Sequence, residues 1–75
     1  MRPLFDWYNV AMKRIREEYE KAKKKRTELA AELREAERTE PDNFHRLWRL
    51  RDRLAYWEGR TEAFELGLEE LGQGS

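Results

Sequence analysis

Residues able to do chemistry are plentiful in this chain, but their spacing favours binding over catalysis. His45 is the only histidine and there is no cysteine. No thiolate or imidazole set can therefore assemble around a metal ion, and His45 reads as a solvated side chain in a helical first turn. Glutamates are abundant, yet acid–base work needs a carboxylate pair in a sheltered pocket that drives two pKa values apart. No glycine-rich phosphate loop or nucleophile motif is present. The expectation is a non-enzyme with no metal and no cofactor.

Binding residues are of two kinds. Lys13, Arg14, Lys21, Lys23, Lys24, Lys25 and Arg26 are basic, as are Arg46, Arg49, Arg51 and Arg53. On a helical wheel they are spread around the axis and interleaved with Glu17, Glu18, Glu20 and Glu28, as on a solvated, ion-paired surface. Arg46, Arg49 and Arg53 beside Trp48 form the best nucleic-acid candidate. Aromatic and apolar residues off the main stripes are the sharper signal. Phe44, Trp48, Ala55, Gly59 and Leu66 share one face of a helix, while Trp7, Val10 and Tyr56 also point away from the stripes. An apolar face of this kind marks a partner or self-association surface, and Trp and Tyr are enriched where binding energy concentrates.

Two helices must position these groups. Phe5, Tyr8, Met12, Ile15, Tyr19, Ala22, Arg26, Leu29, Leu33 and Ala36 alternate in steps of three and four, the signature of a coiled-coil seam. Leu47, Leu50, Leu54, Trp57, Thr61, Phe64, Leu68 and Leu71 repeat the pattern. The outer aromatic face lies roughly opposite this second seam. Between the stripes, Thr39-Glu40-Pro41-Asp42-Asn43 breaks the helix at proline, and Thr39, Asp42 and Asn43 are all able N-caps. Thr39 with Asp42 also suggests a loose capping box. The spacing predicts helix 1 over about 4–38, a turn at 39–42, helix 2 over about 42–71 and a frayed tail at 72–75.

Folding the stripes together gives an antiparallel hairpin in which facing residues have numbers summing to about 83. Leu33 then meets Leu50, Leu29 meets Leu54, and Ala22 meets Thr61. Arg26 and Thr61 are the seam's polar members. Arg26 is expected to fix register beside Trp57, its guanidinium reaching solvent or stacking on the indole. Lys23–Glu58, Arg16–Glu65 and Glu32–Arg53 are the expected flanking ion pairs, against a Lys25–Arg60 clash.

The totals agree with a single small all-α domain over residues 1–75. Charged residues make up 43% of the chain, yet basic and acidic side chains cancel to a net charge of zero. That balance disfavours general attraction to nucleic acid or an anionic membrane. No apolar run approaches the length of a membrane span, and the first residues lack a signal-peptide core. A cytoplasmic location is the default.

Trp57-Glu58-Gly59 resembles the signature of secreted WXG-type helical hairpins. In that family the tripeptide forms the turn; here it lies within a continuous stripe and Pro41 supplies the turn, so the family is set aside. In architecture the hairpin is similar to plasmid RNA-regulating Rop-type dimers, a likeness of shape that implies no function. The expectation is a hairpin dimerising into a four-helix bundle. It would bind a protein as a regulator, adaptor or inhibitor, encoded by a phage or mobile element and acting on a host protein. An RNA- or DNA-binding homodimeric bundle and a de novo designed hairpin are the alternatives. Arg26 in the seam, the exposed tryptophans and Gly59 within a helix argue against design.

Overall fold

In a computed structural model of the chain, the backbone is described for residues 3–73 and the side chains for residues 7–70. Helix α1 spans Pro3–Thr39 and helix α2 spans Phe44–Gln73. The two pack against each other as a hairpin, a rod of 61 × 18 × 15 Å. Proline is tolerated at the start of α1 because the first N–H groups of a helix have no intrahelical acceptor. The expected helices are thus present. α1 runs one residue further at each end, and α2 is shifted two residues toward the C-terminus.

The turn explains that shift. The Thr39 hydroxyl donates to the Glu35 carbonyl at 2.9 Å, and the Glu40 N–H donates to the Ala36 carbonyl at 2.7 Å. α1 is closed from within, and Thr39 has no hydroxyl to spare for a capping box with Asp42. The Asn43 N–H then donates to the Glu40 carbonyl at 3.0 Å, bending the chain around Pro41 and Asp42. Asn43 is the cap of α2. Its Oδ1 accepts the Arg46 N–H at 3.2 Å, and its carbonyl accepts the Leu47 N–H at 3.0 Å. Those are the two bonds that define an N-cap.

Every stripe residue with a described side chain is buried or half-buried, except the more exposed Tyr8. Phe5 and Leu71 lie outside the described side chains. Packing is uneven along the rod. Leu29, Ala36, Leu47 and Leu50 form the buried cluster near the turn, with Leu33, Leu54 and Trp57 packed against it. Toward the open end, Met12, Ile15, Tyr19, Phe64 and Leu68 are only half-buried. Between the two regions, Ala22 and Thr61 are both fully inaccessible. Small side chains let the helices approach there, and the Thr61 hydroxyl is satisfied by the Trp57 carbonyl of its own helix at 2.7 Å. A seam threonine is tolerated because its one donor never leaves the helix.

The cross-helix polar contacts support the expected register with different partners. Tyr19 donates to Glu65 Oε1 at 2.9 Å, where Arg16 was the expected partner of that carboxylate. Arg51 pairs with Glu37 at 3.0 Å, and Arg46 rather than Arg53 reaches Glu32, at 3.8 Å. Tyr19 and Glu65 stand in direct opposition, whereas the two arginine pairs sit somewhat more than one turn to either side of it, a diagonal that long side chains span easily. Lys23 pairs with Glu20 on its own helix at 3.0 Å instead of with Glu58. A local partner costs less side-chain entropy to hold than one across the seam.

Candidate functional site

α2 is apolar on two faces. At about 100° per residue, Phe44, Trp48, Ala55, Gly59 and Leu66 lie roughly 140° around the helix from its seam. α1 does not reach them. Phe44 is 74% exposed, Trp48 67% and Leu66 60%, and Ala55 and Gly59 are exposed as well. A Cβ placed on Gly59 would meet nothing within 4 Å. On α1, Trp7 and Val10 are 69% and 64% exposed near the open end of the rod. The face on α2 runs from Phe44 beside the turn to Leu66 toward the open end, where Trp7 and Val10 lie on α1.

Tyr56 is exposed but not idle. Its ring meets Trp57 edge-on, with centroids 5.3 Å apart, and its hydroxyl accepts from Arg60 Nη1 at 3.4 Å. Arg60 is the functional-looking residue that sequence reasoning missed. Its guanidinium carbon lies 5.8 Å from the Tyr56 ring, 5.7 Å from Trp57 and 5.4 Å from Phe64. The signal was available, because aromatics four and three residues before an arginine and four after it share its helical face.

Arg26 is expected beside Trp57 with its guanidinium in solvent or on the indole, and of those two options the ring face is taken by Arg60. Arg26 is half-buried and makes no ion pair among the described residues. With Ala30, Ala31, Arg34, Leu54 and Glu58 it lines a shallow groove of about 350 Å³ between the helices.

The nucleic-acid candidates Arg46, Arg49 and Arg53 lie exposed on one flank of α2 but differ in their partners. Arg46 is engaged by Glu32 and Glu40, and Arg49 donates to His45 Nε2 at 3.2 Å. Arg53 is exposed and makes no ion pair among the described residues.

One polar cluster carries shifted pKa values. The bond to Glu65 raises the Tyr19 phenol above its ordinary 10.0, with burial and the Glu65 charge adding to it. Lys23, whose ammonium lies 4.4 Å from the centre of the Tyr19 ring, is raised chiefly by its bond to Glu20. Both groups keep their ordinary protonation at neutral pH, so the cluster is a brace between the helices.

Among the described residues no three of His, Asp and Glu gather as metal ligands would, and no helix is long and apolar enough to cross a membrane. The arrangement supplies exposed aromatic area on a stiff helical frame. No family model, curated protein or solved structure matches the chain.

Proposed function

We propose that the chain is a small non-enzymatic protein–protein interaction module that docks through the outer face of α2. It acts as a regulator, adaptor or inhibitor in the cytoplasm, of the kind a phage or mobile element directs at a host protein. A two-fold dimer through this face would bring four helices together in place of the closed four-helix bundle expected from the sequence. One observation carries this reading: α2 already fills its seam against α1, yet leaves Phe44, Trp48 and Leu66 at least 60% exposed on a second face. A monomer gains nothing from large apolar groups in water, whereas an interface does. The internal engagement of Arg46 and Arg51 by carboxylates speaks against a phosphate-binding surface.

Site-specific photo-crosslinking in cells that express the chain tests the reading. A photoreactive residue at position 48 or 66 is expected to capture protein, including a second copy. The same residue at position 35, on the exposed back of α1, is expected to capture none. Equal labelling at all three positions, or none at 48 and 66, would overturn the reading.

A further inference from the structure

The outer face of α2 is complementary to itself. We propose that its occupant is α2 of a second copy of this chain, antiparallel about a two-fold axis through Ala55. The proposal rests on reading that face as a docking surface and names its partner.

Symmetry is the first argument. Across a two-fold axis, residue i meets j and j meets i. About Ala55, Phe44 and Leu66 are equally distant in opposite directions, so the aromatic of each copy meets the leucine of the other. Trp48 comes level with the second copy's Glu62, between Gly59 and Leu66, where the missing Cβ of Gly59 leaves space for an indole. Ala55 meets its own counterpart. Small residues at the crossing and large ones toward the ends allow two helix backbones to approach closely.

Charge is the second. Residues 44–55 hold four arginines and one aspartate, whereas residues 56–70 hold five glutamates and one arginine. α2 has no acid in its first turn and no base in its last, so its charges oppose its own dipole. α1 answers the basic half through Glu32 and Glu37, but Glu58 and Glu62 make no ion pair among the described residues. An antiparallel second copy brings Arg51, already held by Glu37, level with Glu58 and Glu62 and so adds acidic neighbours to the same guanidinium. A parallel copy would set each glutamate beside its duplicate, which is repulsive.

Area is the third. Phe44 and Trp48 are 74% and 67% exposed, and an aromatic side chain can bury roughly 150–250 Å². The four aromatics of two copies thus offer about 400–700 Å², about a third of the roughly 1,200–2,000 Å² in a stable interface. Leu66, Ala55 and the helix backbone extend it along the rod. The groove bounded by Leu54 and Glu58 opens on the flank of α2 nearest this face and gives the second hairpin room to settle.

The chain has no cysteine, so single-cysteine variants report the axis directly. The full chain is expected to sediment at twice its 9.2 kDa mass. Under mild oxidation Ala55→Cys should form a covalent dimer, because residues on the axis fall within the roughly 4.4–6.8 Å Cα separation that a disulfide spans. Trp48→Cys and Leu66→Cys should not, since antiparallel pairing carries each about 20 Å or more from its counterpart at 1.5 Å per residue. Cross-linking at all three positions means a parallel pair and overturns the proposal, as does a dimer of the Ala55→Cys variant that never becomes covalent. A monomeric mass also overturns it, while the docking reading still stands on capture of another protein at positions 48 and 66. If Trp48→Glu leaves a native dimer intact, dimerisation uses another face and the proposal falls, while capture at positions 48 and 66 alone decides the docking reading.

Discussion

Leu50→Ala measures how far the hairpin's stability is concentrated near the turn. Leu50 is 5% exposed and packed within the cluster of Leu29, Ala36 and Leu47. The substitution removes the equivalent of three methylene groups, or about 2.4 kcal/mol of transfer free energy at roughly 0.8 kcal/mol each. A cavity term is added, but it is small here because a rod two helices thick can close over the gap or admit water. The expected cost is about 2.5–3 kcal/mol, at the lower end of the range for buried leucines. Leu54 is half-buried on the same stripe, so Leu54→Ala should cost about half as much. A chain of this length has a total stability of about 4–11 kcal/mol at 0.05–0.15 kcal/mol per residue. Leu50→Ala should therefore shift the urea midpoint strongly at unchanged slope, read by circular dichroism at one fixed protein concentration. If Leu54→Ala costs as much as Leu50→Ala, or Leu50→Ala costs under about 1 kcal/mol, the core is not where the packing places it.

Asn43→Ala should cost about 1 kcal/mol, with Asn43→Asp retaining most of the cap, in the same urea titration. Arg26→Leu should be neutral or stabilising, because a half-buried guanidinium without an ion pair is replaced by an apolar group at the edge of the seam. A loss above about 1 kcal/mol would mean that the guanidinium makes bonds important to the fold. The raised phenol of Tyr19 predicts alkaline behaviour. Folded Tyr19 holds its proton more tightly than unfolded Tyr19, so its contribution is fully present below pH 10.0 and is lost as pH rises through the folded value. Glu65→Gln removes the acceptor charge. Tyrosinate absorbance should then show Tyr19 ionising closer to 10.0, and the alkaline loss of stability should shrink.

The stripes were legible because burial is periodic. Met12, Ile15, Tyr19, Ala22 and Leu29 recur at a spacing that only one helical face satisfies, and that face is the one against α2. Pro41 marked the turn, since proline excludes a continuous helix. The choice of cap was less legible. Thr39, Asp42 and Asn43 each offer a side-chain oxygen, and the matter is decided by the Thr39 hydroxyl turning back to Glu35. The ion pairs were legible only in outline. Arg46 and Arg51 reach diagonally, and Lys23 stays on its own helix, because several partners lie within reach and differ little in energy. The candidate face could be read as a surplus of aromatics beyond what one seam can use. Its exposure required knowing that α1 leaves it uncovered, and the place of Arg60 among three rings required knowing which rotamers the packed helix permits.

The uneven packing of the rod has a mechanical consequence. The outermost residues of α1 and α2 leave the hairpin at the same loose end, furthest from the cluster of Leu29, Ala36, Leu47 and Leu50. Tension applied between them peels the helices apart like the halves of a zip, a few contacts at a time. Resistance should climb as the opening fork passes from Tyr19 and Phe64 through Ala22 and Thr61 to Leu29 and Leu50. A single-molecule pulling trace should therefore rise in steps toward its highest force near the turn. On relaxation the same gradient should close the zip from Pro41 outward.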